Sequence, residues 1–377
     1  MRIAIFENIM TPGGNEVEFN RILVDELKNL NHEIFFYVPE NFTFQFNYGV
    51  EVQKINGAAV SYKNSGGVKK IFAAAKREIN RLRWYNQLYE LQKNFDALII
   101  PTATHRYLRA LTYSNLKKIS VPLIFVFHGI NPNEAPKFLA QSKKLLPNSN
   151  IKMAVISLAN DIFGKTLENI FTILPPVFVA RDIKPVEKNF PPEVLTIGFF
   201  GQYRREKKLQ DLLAAFTRGN YNRKVKLLVQ GATMHEEDAA EFEKIISPYE
   251  KSENISVIRG ALIGADWQRA ILNVDALLLP YSAPRFKYHW GGMLFTAVGY
   301  EKPVVSSNDM NPEIFAKYKI GETFESGNTD ALTSTLEYFI DNFDKNFETY
   351  EKNLREAMNN FSPQNFAKRL EKIILEK

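Results

Sequence analysis

Short runs of mostly apolar residues alternate with helix-length segments along this chain, and the alternation is broken once. The runs cover 2–6, 33–38, 97–100, 123–127, 153–156 and 171–174, then resume at 195–200, 226–230, 255–258, 276–279 and 303–306. A strand with one solvated face reads apolar and polar in turn. One that is apolar throughout is covered on both faces, as parallel strands are when helices flank them. Helices between such strands make βαβ units, so the pattern predicts an α/β fold built twice. The break is the segment 181–192, where Arg181, Asp182, Lys184, Pro185, Glu187, Lys188, Pro191 and Pro192 crowd together without a helical period. That is linker composition. With 377 residues there is room for two domains. We place them at 1–180 and 193–361, followed by a terminal helix, 362–377, that starts on Ser362-Pro363 and is expected to pack back on the first domain.

Composition narrows the class. The chain has no cysteine, which excludes disulfides and thiolate metal sites. Its five histidines lack ligand spacing, so no metal is expected. Neither a secretory leader nor a membrane-spanning run of about 18 apolar residues is visible. The expected location is the cytoplasm, with the inner face of the membrane as the alternative. A net charge of +6 is mild, and fits phosphate-bearing ligands, an anionic membrane surface or nothing specific. No nucleic-acid module is present, and no Gly-x-Ser-x-Gly elbow of a serine hydrolase.

Two strand–glycine turn–helix openings carry the first functional signal. One is Thr11-Pro12-Gly13-Gly14-Asn15 after strand 2–6; the other ends on Gly201 after strand 195–200. Such turns bring backbone N–H groups close to anionic or polyhydroxylated ligands. His128 follows the apolar run 121–127, at the strand end where open α/β sheets bind ligands. It reads either as a contact to a sugar hydroxyl or phosphate oxygen, or as a satisfied strand-end histidine. Arg204, Arg205, Lys207 and Lys208 sit where a helix begins, against the sign of its dipole. That frustration points to an anion. Gly291-Gly292 opens the apolar helix 293–298 and should present free N–H groups to a diphosphate. Between them runs an aromatic and basic loop, 281–290, in which Arg285, Lys287 and His289 are candidate contacts. The segment 68–93 is basic and amphipathic, with Ile71, Ala75, Ile79, Leu82 and Leu88 as its apolar stripe. It suits either a membrane surface or packing on the first sheet.

In this linear order the chain resembles a glycosyltransferase of the GT-B fold, close to glycosyltransferase family 4. The resemblance covers nearly the whole chain. It rests on Gly13-Gly14; Phe127-His128-Gly129; Ala154-Val155-Ile156-Ser157 with Ile173-Leu174-Pro175-Pro176-Val177; Phe200-Gly201-Gln202-Tyr203-Arg204-Arg205-Glu206-Lys207-Lys208; and Leu279-Pro280-Tyr281-Ser282 with Gly291 to Ala297 and Lys302-Pro303-Val304-Val305. It implies two Rossmann-like domains facing each other across a cleft, with retaining, metal-independent transfer. The donor would be a nucleotide-diphosphate sugar of UDP, GDP or dTDP type. The acceptor would be a hydroxyl of a glycan or lipid-linked glycan, with peripheral membrane contact through 68–93.

By the same resemblance His128, Lys207 and Arg204 are the catalytic set. Gly13, Gly14, Gly201, Arg205, Arg285, Tyr288, Gly291, Gly292 and Thr296 bind the donor. The chain departs from the family at three of its positions. Gln202 stands where an arginine is usual, so Arg204 or Arg205 would supply that charge. The two family glutamates eight residues apart fall on Tyr288 and Thr296. Thr296 would bond the ribose more weakly, which favours a deoxyribose nucleotide such as dTDP. Two other readings stay open: a sugar-nucleotide epimerase of the same architecture, and a catalytically weak glycosyltransferase-like binding subunit.

Overall fold

The structure is a computed structural model. It describes the chain apart from residues 10–14, 44–46, 60–67, 160–166, 182, 184–189, 234 and 377, with the backbone alone at 15 and 68–71. Seven strands form the first sheet: β1 (Arg2–Phe6), β2 (Glu33–Pro39), β3 (Val52–Ile55), β4 (Ala97–Ile100), β5 (Leu123–Phe127), β6 (Ile151–Ile156) and β7 (Ile170–Ile173). Six form the second: β8 (Leu195–Phe199), β9 (Val225–Gly231), β10 (Ile255–Arg259), β11 (Ala276–Leu279), β12 (Val304–Ser307) and β13 (Gly321–Phe324). All pairings are parallel, in the orders 3-2-1-4-5-6-7 and 10-9-8-11-12-13. Each sheet therefore reverses its strand order once, between β1 and β4 and between β8 and β11. At such a switch the loops diverge to opposite faces and leave a crevice at the carboxyl ends.

Among the described residues, twelve α-helices accompany the sheets. The first four are α1 (Asn15–Asn29), α2 (Val68–Leu91), α3 (His105–Leu111) and α4 (Ala135–Leu145). Next come α5 (Leu209–Arg218), α6 (Glu236–Ile246), α7 (Ala265–Asn273) and α8 (Gly292–Gly299). The last four are α9 (Pro312–Lys317), α10 (Thr329–Asp341), α11 (Phe343–Asn360) and α12 (Pro363–Leu375). The strand pattern in the sequence omits β3 and β13. Both are four-residue edge strands, Val-Gln-Lys-Ile and Gly-Glu-Thr-Phe, with half-exposed polar residues. Short polar edges are how sheets avoid pairing with other chains, and they carry no apolar run to read.

Residues alternate between two apolar layers in the first sheet. Ala4, Phe6, Leu98 and Phe125 pack with Trp84, Tyr85 and Tyr107 into a core confined to the first half. Ile3, Ile5, Ile99 and Ile124 face the other way, into a core continuous with that of the second sheet. Aromatic rings cover the joint. Trp290 stacks on Phe178 at 5.0 Å and meets Phe19 and His128 edge-on at 5.3 Å each. Arg21 of α1 donates to the Val179 carbonyl at 2.6 Å, and Arg181 pairs with Asp25 at 2.8 Å. From the other end of the chain, α12 packs on α1, β6 and β7, and Lys152 of β6 donates to the Ile373 carbonyl at 2.7 Å.

On α2 the apolar stripe read from the sequence divides. Leu88 is buried beside Trp84 and Tyr85, while Ile79 is 52% exposed and Phe72 71% exposed. No helix among the described residues is long and apolar enough to cross a membrane.

Candidate active site

The second sheet's switch point holds a cluster of cations. After β8 the chain turns at Gly201, whose φ is +112°. Only glycine is comfortable there, and a Cβ would lie 2.8 Å from Lys207 Nζ, so a larger residue would also push the lysine tip aside. Gly201 donates its N–H to the buried Gln230 side chain at 2.9 Å. The turn thus lets Lys207 fold back over the strand end, with its ammonium 5.2 Å from the ring centre of Tyr281, which follows β11. Desolvation, then the charges of Arg204 and Arg285, push the Lys207 ammonium down to about 7, against the pull of Glu206. Glu206 pairs with Arg285, and its carbonyl accepts the Ser282 N–H at 2.8 Å, which ties the two loops together.

The other residues predicted for this half fall into two groups. Arg204 extends toward the cluster, with Nη2 3.4 Å from Gln202 Oε1. The neutral amide at 202 therefore contacts the cation at 204. Arg205 turns the opposite way and pairs with Glu241 of α6 at 2.6 Å, largely in solvent. Tyr288 lies half-buried beside Lys287. Thr296 is buried, and its hydroxyl donates to the Gly292 carbonyl at 2.8 Å, within its own helix.

Gly291-Gly292 does not present two free amides. The Gly291 N–H goes to Asn311 Oδ1 at 3.1 Å and that of Gly292 to the Trp290 carbonyl at 3.0 Å. A Cβ on Gly291 would come within 2.4 Å of Met310 Sδ. The glycine is needed for this packing, and α8 offers its dipole rather than those two N–H groups. Asn311, which nothing in the sequence singled out, is buried at φ +39° and also donates to the His289 carbonyl at 3.0 Å.

From the first half, His128 closes the crevice. Its Nε2 lies 2.9 Å from the Pro101 carbonyl. A carbonyl only accepts, so Nε2 carries the proton and Nδ1 keeps a lone pair. Burial lowers its pKa, which Glu16 and the carbonyl oppose, so the neutral form prevails. Backbone joins the halves here: the Trp290 N–H donates to the His128 carbonyl at 3.2 Å, and Gly129 and His289 form an antiparallel bridge. Gly13 and Gly14 lie outside the described residues.

A residue missed in the sequence occupies the first sheet's switch point. Glu7, directly after β1, accepts N–H groups from Asn8 at 2.7 Å and Ile9 at 2.8 Å, the Asn20 amide at 3.2 Å and the Thr102 hydroxyl at 2.9 Å. Burial raises its carboxyl to about 7, against the bonds from Ile9, Asn20 and Thr102. A carboxylate ending an apolar strand was the available signal.

Four polar atoms of loop 281–290 are buried without a partner among the described residues: Tyr281 Oη, Arg285 Nε, His289 Nε2 and Trp290 Nε1. Buried polar atoms are nearly always bonded, so four in one loop depart from that rule.

Comparison with known proteins follows the same outline. Residues 180–374, just over half of the chain, match the sequence profile described as "Glycosyl transferases group 1". Among solved structures, HepE from Anabaena in complex with UDP and glucose is 15% identical, with 99% of this chain and 98% of that one covered at a TM-score of 0.69. A glycosyltransferase from Rickettsia africae is 16% identical, with 99% and 98% covered and a TM-score of 0.68. The lipopolysaccharide outer core galactosyltransferase WaaB, in its apo form, is 16% identical, with 99% of both chains covered and a TM-score of 0.61. At these identities the likeness establishes the fold, GT-B. A search among curated proteins finds no match.

Proposed function

The chain belongs to the glycosyl transferases group 1 family, and from that premise we propose that its cleft moves a sugar from a nucleotide-diphosphate sugar to an acceptor hydroxyl with retention, as in glycosyltransferase family 4. The observation that carries this reading is the Lys207 ammonium, desolvated at a switch point between Arg204 and Arg285. Holding like charges close to a half-buried ammonium is unfavourable until an anion arrives. A diphosphate leaving group is such an anion, and preorganised cations act most strongly on charge that develops during the reaction.

The proposed step is front-face. The bond from the anomeric carbon to the phosphate oxygen breaks and its electron pair stays on that oxygen. The acceptor oxygen bonds to the same face of the sugar, and its proton passes to the departing phosphate. Lys207 and Arg204 hold the diphosphate, with Arg285 behind them. His128 offers its Nδ1 lone pair to a hydroxyl of the donor sugar, and Gly13-Gly14 borders the acceptor side. Tyr288 lies toward the sugar. UDP is the first donor nucleotide to test, because HepE is bound to UDP and glucose. With its hydroxyl committed to Gly292, Thr296 is placed near the ribose as a packing contact.

The acceptor we propose is a glycan or lipid-linked glycan in polysaccharide biosynthesis, reached at the inner face of the membrane. Phe72, Lys76, Ile79 and Arg83 recur at helical spacing on α2; Phe72, Lys76, Ile79 and Arg83 are all exposed. An apolar and basic stripe of that kind suits an anionic lipid surface.

The deciding experiment is a thermal-shift panel of UDP, GDP, dTDP and ADP with their sugars. A nucleotide at a hundred times its Kd stabilises the fold by about 2.7 kcal/mol. Transfer should vanish in Lys207→Ala, which should remain folded. No shift with any nucleotide, or full transfer by that variant, refutes the reading; the former outcome would favour the binding-subunit alternative. Sedimentation with phosphatidylserine vesicles, reduced by Phe72→Ser with Ile79→Ser, tests the membrane contact.

A further inference from the structure

Glu7 closes the end of β1 with both carboxylate oxygens occupied. Oε1 takes the backbone N–H groups of Asn8 and Ile9, at 2.7 and 2.8 Å, which fixes the carboxylate to its own strand end. Oε2 takes the Asn20 amide at 3.2 Å and the Thr102 hydroxyl at 2.9 Å. Asn20 belongs to α1, and Thr102 follows β4. Glu7 is 1% exposed, so it does not itself reach a ligand. Any influence it has on the cleft runs through the groups it bonds.

Thr102 and Asn20 are each the next residue after one that holds the His128 ring. Thr102 follows Pro101, whose carbonyl accepts the His128 Nε2 proton at 2.9 Å. Asn20 follows Phe19, whose ring meets the imidazole edge-on at 4.6 Å. The segment after β4 is also pinned to β5, since the Ala103 N–H donates to the Val126 carbonyl at 2.9 Å. Trp290 of the second half supplies a further wall, edge-on at 5.3 Å. His128 is only half-buried, so the cleft can reach it where it cannot reach Glu7. The tautomer decides what the ring offers: a proton on Nε2 leaves Nδ1 as an acceptor, and a ring that turns over exchanges the two.

Resting on the reading that His128 faces the donor sugar, we infer that Glu7 is a positioning residue: it holds Pro101 and Phe19 against the imidazole and so selects the tautomer that leaves Nδ1 a bare lone pair. Ligand contacts are kept in place by such outer partners, whose own bonds lock the groups around them. The role is geometric. Glutamine at this position keeps Oε1 for the two backbone donors and turns an amide toward Thr102 and Asn20. The Thr102 hydroxyl can rotate to accept. Asn20 Oδ1, buried without a partner among the described residues, can accept once its own amide turns over. Leucine, of similar size, bonds to none of these groups and leaves the Asn8, Ile9, Asn20 and Thr102 donors without their acceptor.

The test is ¹⁵N-histidine NMR of the full chain at pH 8, where Glu7, raised by burial to about 7, is mostly ionised and an ordinary imidazole is mostly neutral. The His128 signals are assigned by their loss in His128→Gln. Wild type should show a protonated Nε2 and a bare Nδ1. Glu7→Gln should keep that pattern, and Glu7→Leu should lose it to a mixture of the two tautomers. Retention of the wild-type pattern in Glu7→Leu overturns the inference. So does its loss in Glu7→Gln, which would assign the effect to charge. Nucleotide binding is read separately by thermal shift: failure of wild type to bind any nucleotide overturns the transferase reading, whatever the tautomer. Should Glu7→Leu fold poorly, Thr102→Val with Asn20→Leu cuts the same two bonds from the far side. An unchanged His128 pattern there overturns the inference as well.

Discussion

Removing the Lys207 charge should make the ligand-free protein more stable while abolishing its function. The Lys207 ammonium falls from its ordinary 10.5 to about 7 in the folded chain. At about 1.36 kcal/mol per pH unit, a drop of that size corresponds to about 5 kcal/mol of destabilisation by the charged form. Lys207 is only half-buried, and solvent screening together with local relaxation reduces the measurable part to about 1–3 kcal/mol. The sign follows from proton binding. Between pH 7 and 10.5 the unfolded chain holds the proton and the folded one sheds it, so stability rises with pH across that window. Below pH 7 both states are charged and the full penalty applies. Lys207→Met, which keeps the length of the stem, should therefore raise the urea midpoint most at pH 6 to 7, and the gain should shrink toward pH 10.5. Urea unfolding of both proteins at pH 6.5 and 9.5, with nucleotide binding measured in parallel, is the assay. A variant that is less stable than wild type at pH 6.5, or whose advantage grows with pH, would refute the reasoning. So would a variant that binds UDP as tightly as wild type.

Three further outcomes follow from the same geometry. Arg204→Ala should lower kcat/KM by about 10²-fold, as loss of a charge-stabilising donor does, whereas Arg205→Ala, which breaks a solvent-exposed pair, should change it less than about threefold; equal losses would put Arg205 in the site. Gly129→Ala forces a left-handed alanine against His289 backbone and should cost more than about 2 kcal/mol in urea unfolding, with a neutral result showing that the two loops do not meet. Asn311→Gly keeps the left-handed backbone but removes the acceptor of the Gly291 N–H and the donor to His289, so stability should fall by about 1–3 kcal/mol and UDP affinity should fall with it; unchanged affinity would separate Asn311 from the site.

Much of the architecture was legible in the chain because parallel strands buried on both faces must be apolar throughout. Ile3 to Phe6, Leu123 to Phe127 and Ala276 to Leu279 announce themselves in this way. The edge strands β3 and β13 do not, since a half-solvated four-residue strand has no such signature. The cation-rich turn after β8 was visible as a frustrated helix start, and His128 as a polar residue ending a buried strand. Which arginine serves the cluster was not visible. Arg204 and Arg205 are neighbours with identical chemistry, and only the position of Glu241 on α6 draws one of them away.

Local sequence thus determined the βαβ repeats, the linker composition and the candidate cations, because periodicity, turn chemistry and charge act over a few residues. Tertiary structure decided everything that depends on groups far apart in the chain. Gly201 makes room for Lys207, Asn311 takes the Gly291 amide that the sequence had left for a phosphate, and Glu7 is buried against Thr102. The His128 carbonyl takes the Trp290 N–H, and Gly129 bridges to His289, so loops from the two halves meet through main chain. Desolvation and Coulomb energy depend on distance in space, and those distances exist only once the two sheets have closed on one another.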